Sequence, residues 1–236
     1  MEPALRSARV PQSKVLGVLG GMGPAATLDF LAKLQAATPV KREQDHLRVL
    51  VDINPKVPDR NVSASDPGPV LAAMAAGLRD GGAQVLAIAC NTAHAYANEV
   101  RASGLPLVDM LETAGLAAQA KSAGVVGVLG TGLALGLYRD RFSHMGLEVV
   151  MLDDHEQVEF MALLYRIKQG HVGPDSRETM AALAHRLVGK GAQSVVAGCT
   201  EVPLVLSAAD LSVPFLDATE ELAKRCVAVC LEGVSA

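Results

Sequence analysis

Short apolar segments alternate along this chain with longer segments in which apolar side chains recur at helical spacing. The apolar segments are rich in Val, Ile, Leu and Ala, and Gly or Pro bounds most of them, as is typical of buried strands. The predicted strands cover residues 14–19, 47–53, 84–89, 105–108, 125–129, 147–151, 193–197 and 213–216. The predicted helices cover residues 25–37, 68–80, 93–102, 111–122, 133–144, 155–168, 175–190 and 219–231. This alternation predicts an α/β fold built from βαβ units with parallel sheets.

The same pattern starts again halfway along the chain. Gly17-Val18-Leu19-Gly20 returns 110 positions later, Gly82-Ala83-Gln84 returns 109 positions later, and segment 105–109 returns as 213–217. Several matches in register across a half-length offset indicate an internal repeat. We therefore expect two pseudo-symmetric lobes, each a parallel sheet flanked by helices. The first lobe is predicted to contain residues 14–108 and 218–236 and the second residues 109–217, with residues 1–13 as a flexible tail.

A cysteine follows the equivalent strand in each half of the repeat. Cys90 and Cys199 each stand six positions after the Gln of the repeated Gly-Ala-Gln segment, and small polar residues and a helical pattern follow both. Ligands of open parallel sheets bind beyond the carboxyl ends of the strands. Helix N-termini favour the thiolate form of a nearby cysteine. We expect the two sulfurs to face each other across a cleft between the lobes.

Two opposed acid/base groups suit one reaction in particular. One group removes a proton from one face of a carbon, and the other returns a proton to the opposite face, so that a stereocentre is inverted. A nearly symmetric pair of lobes fits a substrate and product that are mirror images.

Composition and charge indicate which binding partners and which cellular compartment to expect. The chain has 236 residues, of which half are hydrophobic but only 3% aromatic, and its net charge is −4. No basic cluster argues for nucleic acid, no apolar run reaches the roughly 18 residues of a membrane span, and no secretory signal is recognisable. We expect a cytoplasmic protein that binds neither nucleic acid nor membrane and keeps its thiols reduced.

The remaining candidates for chemistry have simpler interpretations. Cys226 and Cys230 are four positions apart on the last predicted helix and are expected to pack in the core. His94 is expected in a first helical turn, where it orients a neighbour, and His171 and His185 at the surface. The glycines of 17–23 do not follow the order of a dinucleotide-binding loop, so they predict a tight turn that lines the cleft. No metal site is expected.

Four motifs together resemble the aspartate/glutamate racemase family, and specifically its aspartate racemase branch. The resemblance extends from residue 14 to the end of the chain. The motifs are Gly20-Gly21-Met22-Gly23-Pro24 with Thr27, Pro58-Asp59-Arg60, Cys90-Asn91-Thr92-Ala93-His94 and Cys199-Thr200-Glu201. The resemblance implies a cofactor-independent racemase of a small dicarboxylic amino acid, with Cys90 and Cys199 as a thiolate/thiol couple. It also implies a homodimer.

The resemblance also assigns the substrate-binding residues. Asn91, Thr92 and Thr200 would hold the α-carboxylate at helix starts. Arg60, from a mobile loop, would hold a substrate carboxylate and pair with it through two hydrogen bonds. The other residues that it places at the substrate are Met22, Thr131, Lys168 and Glu201, and Glu201 would either tune the thiol of Cys199 or cap a helix.

One departure from the family pattern bears on the substrate. Positions at which relatives usually carry hydroxyl side chains are Ala134 and Leu135 here, although Gly136 and Tyr138 fit. The substrate is therefore aspartate or glutamate, or comes from a broader range of amino acids. Two other functions stay open: isomerisation or decarboxylation of small dicarboxylates by a protein of the same fold, and non-catalytic binding of an amino acid.

Overall fold

Two four-stranded parallel sheets form the centre of the protein. The structure is a computed structural model and describes residues 13–62 and 66–232, so almost all of the predicted tail lies outside the described residues. The first sheet contains β1 (Leu16–Gly20), β2 (Val49–Ile53), β3 (Val85–Ile88) and β4 (Leu107–Val108). The second contains β5 (Val125–Val128), β6 (Glu148–Val150), β7 (Ser194–Val196) and β8 (Phe215–Leu216).

The two sheets have the same topology. Their strand orders are β2-β1-β3-β4 and β6-β5-β7-β8, so each strand of the first half has an equivalent in the second. All pairings are parallel; Val18 of β1, for example, pairs with Val51 and Ala87, while Gly127 of β5 pairs with Val150 and Val195. The predicted fold class, two pseudo-symmetric α/β lobes, is confirmed.

Helices cover both sheets. They are α1 (Pro24–Ala37), α2 (Gly68–Asp80), α3 (Ala97–Arg101), α4 (Met110–Ala120), α5 (Gly132–His144), α6 (Asp154–Lys168), α7 (Pro174–Gly189) and α8 (Ala218–Leu231). None of the helices in the described part of the chain is long and apolar enough to cross a membrane.

The segment after Cys90 differs from the prediction of one continuous helix over 93–102. Residues Thr92–Tyr96 form a 3-10 turn, and only Ala97–Arg101 is α-helical. The His94 amide donates to the Asn91 carbonyl three residues back, and the His94 ring bonds the Cys90 carbonyl. These two bonds tighten the first turn below the α-helical spacing.

The repeated segments 105–109 and 213–217 end at equivalent helix caps. The Asp109 carboxylate accepts hydrogen bonds from the first amides of α4, and the Asp217 carboxylate does the same at α8. Helix α8 packs on α1 of the first half, α4 packs on α5 of the second half, and α4 and α8 pack on each other. One apolar core consequently joins side chains of both sheets, such as Val18 and Val126, with side chains of α8 such as Cys226.

Candidate active site

Each candidate cysteine lies just beyond an equivalent strand. Cys90 follows β3 and Cys199 follows β7, and these strands occupy the same place in their sheets. Both side chains are buried, with 4% and 5% of the residue exposed. The carboxyl-end loops of parallel strands are where such folds bind ligands.

Glu201 is the immediate partner of Cys199. The Cys199 thiol donates to Oε2 of Glu201 over 3.0 Å, and the Thr200 hydroxyl donates to the same oxygen over 3.3 Å. Lys168 places its Nζ 3.8 Å from Oε1. The Glu201 side chain makes no capping hydrogen bond at the following 3-10 turn, Val202–Leu204, so of the two roles considered for Glu201 the contact to the thiol is the one present.

Burial and the negative charge of Glu201 hold the pKa of Cys199 well above its ordinary value. A low-dielectric site disfavours the charged thiolate, and a nearby carboxylate adds repulsion. Cys199 is therefore a neutral thiol at neutral pH.

Lys168, the last residue of α6, provides a positive charge beside Glu201. Burial opposes its ionisation, but attraction to nearby negative groups, Glu201 first among them, outweighs burial and raises the pKa of Lys168.

Arg60 provides a second cation from the loop after β2. Its Nη1 and Nη2 donate to the carbonyl oxygens of Pro58 and Met22 over 3.1 and 3.3 Å, while its Nε is buried without a partner in the described structure. A cavity of about 400 Å³ opens beside it. Four predicted site residues line this cavity: Met22, Arg60, Lys168 and Glu201.

Asn91 and Thr92 are held from the second half of the chain. The Tyr138 hydroxyl donates to Oδ1 of Asn91 over 2.6 Å, and Nδ2 of Asn91 is buried with no acceptor among the described atoms. The hydroxyls of Thr92 and Thr131 are 3.0 Å apart, and Thr131 caps α5. The sequence places Tyr138 in the family pattern but gives no sign of its contact with Asn91, because the two residues are 47 positions apart.

His94 supports the loop that carries Cys90. Its Nε2 accepts from the Met110 amide over 3.2 Å, so Nδ1 carries the proton and donates to the Cys90 carbonyl over 2.9 Å. Burial lowers the pKa of His94, which keeps the ring neutral. His94 thus lies in a first helical turn and orients its neighbours, as predicted.

The two positions that depart from the family pattern are buried in α5. Leu135 packs in the core shared by the sheets, and Ala134 is fully buried beside the Thr131 cap. A second cavity, of about 550 Å³, instead exposes Leu133 of the same helix together with Arg60, Gln157 and Met161. In the described residues, no group of three or more His, Cys, Asp or Glu side chains is placed to hold a metal ion.

Fold and site together define a two-lobed α/β protein with one buried thiol at the same strand end of each lobe. The model of the Asp/Glu/hydantoin racemase family matches residues 19–226, and the chain belongs to that family. The resemblance predicted from the motifs is confirmed, and the protein falls in the racemase class of isomerases.

Individual relatives agree with this assignment. The broad specificity amino-acid racemase RacX of Bacillus subtilis is 27% identical over 230 residues, which are 92% of this chain and 98% of RacX. The aspartate racemase of Picrophilus torridus has the same fold, with a TM-score of 0.81 at 24% identity, over 92% of this chain and 94% of that one. Glutamate racemase of Francisella tularensis, in complex with D-glutamate, gives a TM-score of 0.66 at 19% identity, over 93% and 82% of the two chains.

Proposed function

We propose that the protein is a cofactor-independent racemase that inverts the α-carbon of aspartate, and also of glutamate, by proton transfer between Cys90 and Cys199. The observation that carries the proposal is the pair of buried thiols that follow equivalent strands of the two sheets. Arg60 and Lys168 provide the two positive charges that a dicarboxylic substrate requires.

The reaction starts with Cys199 as the thiol, the form that burial and Glu201 favour. Cys90, as the thiolate, removes the α-proton, and the electron pair of the broken C–H bond delocalises into the α-carboxylate. Arg60, Lys168 and the free Nδ2 of Asn91 stabilise this charge, because fixed donors in a dry site act strongly on it. Cys199 then delivers its proton to the opposite face, which leaves a Cys90 thiol and a Cys199 thiolate.

The proposal also covers the residues around the substrate, the boundaries of the lobes, the oligomeric state and the compartment. The substrate is lined by Thr92, Thr131, Thr200 and Met22. The two lobes divide at residues 108/109 and 217/218, with one cysteine on each side of the cleft between them. We also propose a homodimer in the cytoplasm, where thiols stay reduced.

The test is exchange of the α-proton in D₂O. L-Aspartate incubated with the purified protein and no added cofactor should racemise and gain deuterium, as followed by NMR and chiral chromatography. Cys90→Ser and Cys199→Ser should each lose at least about 100-fold in rate, the scale of one acid/base group. Cys226→Ser, a buried thiol of α8, is the matched control and should retain activity.

Several results would contradict the proposal. No exchange with either enantiomer of aspartate or glutamate would reject the racemase reaction on these substrates. Release of CO₂ or a rearranged dicarboxylate would favour a same-fold decarboxylase or isomerase, and amino-acid binding that survives loss of either thiol without turnover would favour a binding protein.

A broader substrate range is the second candidate. The cavity of about 550 Å³ beside Arg60 has Leu133 and Met161 in its wall and the amide of Gln157 as a polar group. Its walls suit a side chain longer and less charged than that of aspartate, and RacX of Bacillus subtilis is a broad specificity racemase. Turnover of methionine or glutamine at rates near that of aspartate would favour this candidate, and a strict preference for aspartate and glutamate would reject it.

A further inference from the structure

We propose that Tyr138 is the positioning residue that spaces the two cysteine loops and aims the amide of Asn91 at the substrate carboxylate. This inference rests on the racemase function proposed above and adds a residue that touches neither the reacting carbon nor its proton. It follows from contacts that Tyr138 makes beside both cysteines.

The first contact is made one residue after Cys90. The Tyr138 hydroxyl donates to Oδ1 of Asn91 over 2.6 Å, which leaves Nδ2 as the free end of the amide. Nδ2 is buried and finds no acceptor among the described atoms. A buried donor without an acceptor is unfavourable, and the carboxylate of a bound amino acid would supply the missing acceptor.

The hydroxyl is suited to this role because it remains a donor. Tyr138 is fully buried, and burial together with nearby negative groups, Asp109 first among them, raises the pKa of Tyr138 well above its ordinary value. The phenol therefore stays protonated at every pH at which the enzyme would work, and Oδ1 remains its acceptor.

The second contact is made one residue before Cys199. A Cβ placed on Gly198 would lie 3.2 Å from Cε2 of Tyr138 and 2.6 Å from Cγ1 of Val128. A Cβ at 198 would therefore overlap Val128 and would press on the ring of Tyr138, which would have to shift by a few tenths of an ångström. The same side chain thus packs against the backbone before Cys199 with its ring and bonds the side chain after Cys90 with its hydroxyl.

The ring is held on its other side by α5 itself. Phe142, one turn further along, makes an edge-to-face contact with Tyr138 at a centroid separation of 5.1 Å. At the start of the same helix, the Thr131 hydroxyl is 3.0 Å from that of Thr92. Proton transfer between two thiols requires their loops to be fixed within a fraction of an ångström, and a rigid ring between the loops provides such a spacer.

Two substitutions at this position separate the two parts of the role. Tyr138→Phe keeps the ring and removes the hydroxyl, so we expect KM for aspartate to rise about tenfold while kcat changes less than threefold. Tyr138→Leu removes the ring, so we expect kcat to fall at least tenfold as well. A purely structural role would lower the melting temperature of both variants without this division between KM and kcat.

A double-mutant cycle tests whether the hydroxyl acts through Asn91. In an Asn91→Ala background, Tyr138→Phe should cause no further loss in kcat/KM, because the amide that it orients is gone. Equal losses in the presence and absence of Asn91, or an unchanged KM in Tyr138→Phe, would overturn the inference.

A binding measurement keeps the inference testable even if no turnover is found. Malonate is a dicarboxylate that cannot racemise, and its affinity is measured by calorimetry with the wild type and Tyr138→Phe. We expect at least fivefold weaker binding to the variant; equal affinity, or no binding to the wild type, would overturn the role assigned to Asn91. Failure of the racemase proposal would instead appear as wild-type protein that binds malonate and turns over no amino acid.

Discussion

At the scale of single residues, the repeat places equivalent thiols but gives them different neighbours. The residue two positions after Cys90 is Thr92, whereas the residue two positions after Cys199 is Glu201. Glu201 accepts the hydrogen bond of the Cys199 thiol, and its charge helps to keep that thiol protonated. Among the described contacts, the carboxylate of Glu201 therefore distinguishes the surroundings of Cys199 from those of Cys90.

The charge of Glu201 is expected to affect the pH dependence of Cys199 alkylation. Removing it with Glu201→Gln should lower the pKa of Cys199, because the thiolate would lose a repulsive neighbour and keep the attraction of Lys168. Alkylation of Cys199, followed by mass spectrometry of its peptide, should then reach half-maximal rate at a lower pH than in the wild type.

Glu201→Asp is the matched control, since it retains the charge and should leave the midpoint of the Cys199 alkylation profile much closer to the wild-type value. A midpoint in Glu201→Gln that equals or exceeds that of the wild type would contradict the effect assigned to the carboxylate.

At the scale of elements, glycines in equivalent strands let helices pack closely on the sheets. A Cβ on Gly17 of β1 would lie 3.3 Å from Cβ of Leu78 in α2 and 2.8 Å from Cβ of Ala83, which follows that helix. One on Gly127 of β5 would lie 2.9 Å from Cβ of Leu187 in α7. The nearby helices are α2 and α7, which cover equivalent sides of β1 and β5. The first glycine of the repeated Gly-Val-Leu-Gly segment is therefore needed in each half for close packing against the sheet.

This packing predicts that Gly→Ala substitutions destabilise the protein at the buried strand positions and stabilise it at an exposed helix position. Gly17→Ala and Gly127→Ala should each lower the free energy of unfolding by about 1–3 kcal/mol, because the added methyl group overpacks the helix–sheet contact. Gly77→Ala is the control: Gly77 is exposed within α2 and no described atom lies near its Cβ position, so the same change should stabilise by up to about 1 kcal/mol. Urea denaturation measures all three, and a stabilising Gly17→Ala would contradict the packing argument.

At the scale of the whole molecule, the two halves are tied together on both sides of the site. The exchange of α4 and α8 builds one core from both sheets, while the contacts from α5 to Asn91 and Thr92 join the Cys90 loop to the second half. Both cysteines are buried in this arrangement. We therefore expect reagents to reach either thiol more slowly than they reach an exposed cysteine.

The burial of the cysteines leads to a prediction about their alkylation. Iodoacetamide should inactivate the protein through Cys90 or Cys199, and saturating L-aspartate should slow the inactivation at least fivefold, since a substrate bound at the proposed site would cover both thiols. Cys226 and Cys230, buried in α8, should react more slowly than either and without dependence on aspartate. Activity that survives complete labelling of Cys90 and Cys199 would contradict the paired-thiol mechanism.

The sequence alone determined the regular part of this protein. Strand and helix order, the internal repeat and the cysteine beyond the third strand of each half all follow from periodicity, since alternation and spacing are properties of neighbouring residues. The two-lobed α/β fold was therefore predictable from these patterns, and the family from the resemblance of four motifs. The single helix expected over 93–102 was wrong because side-chain bonds of His94 tighten its first turn.

Only the tertiary structure decided which side chains meet. The bond from Tyr138 to Asn91 and the space that Gly198 leaves for the ring join residues far apart in the chain. The burial of Leu135 in the shared core likewise depends on how α5 packs on its neighbours. Such contacts depend on the angle and depth at which elements pack, and local sequence patterns carry no information on either. The sequence therefore determined where the two thiols stand, and the fold decided what surrounds them.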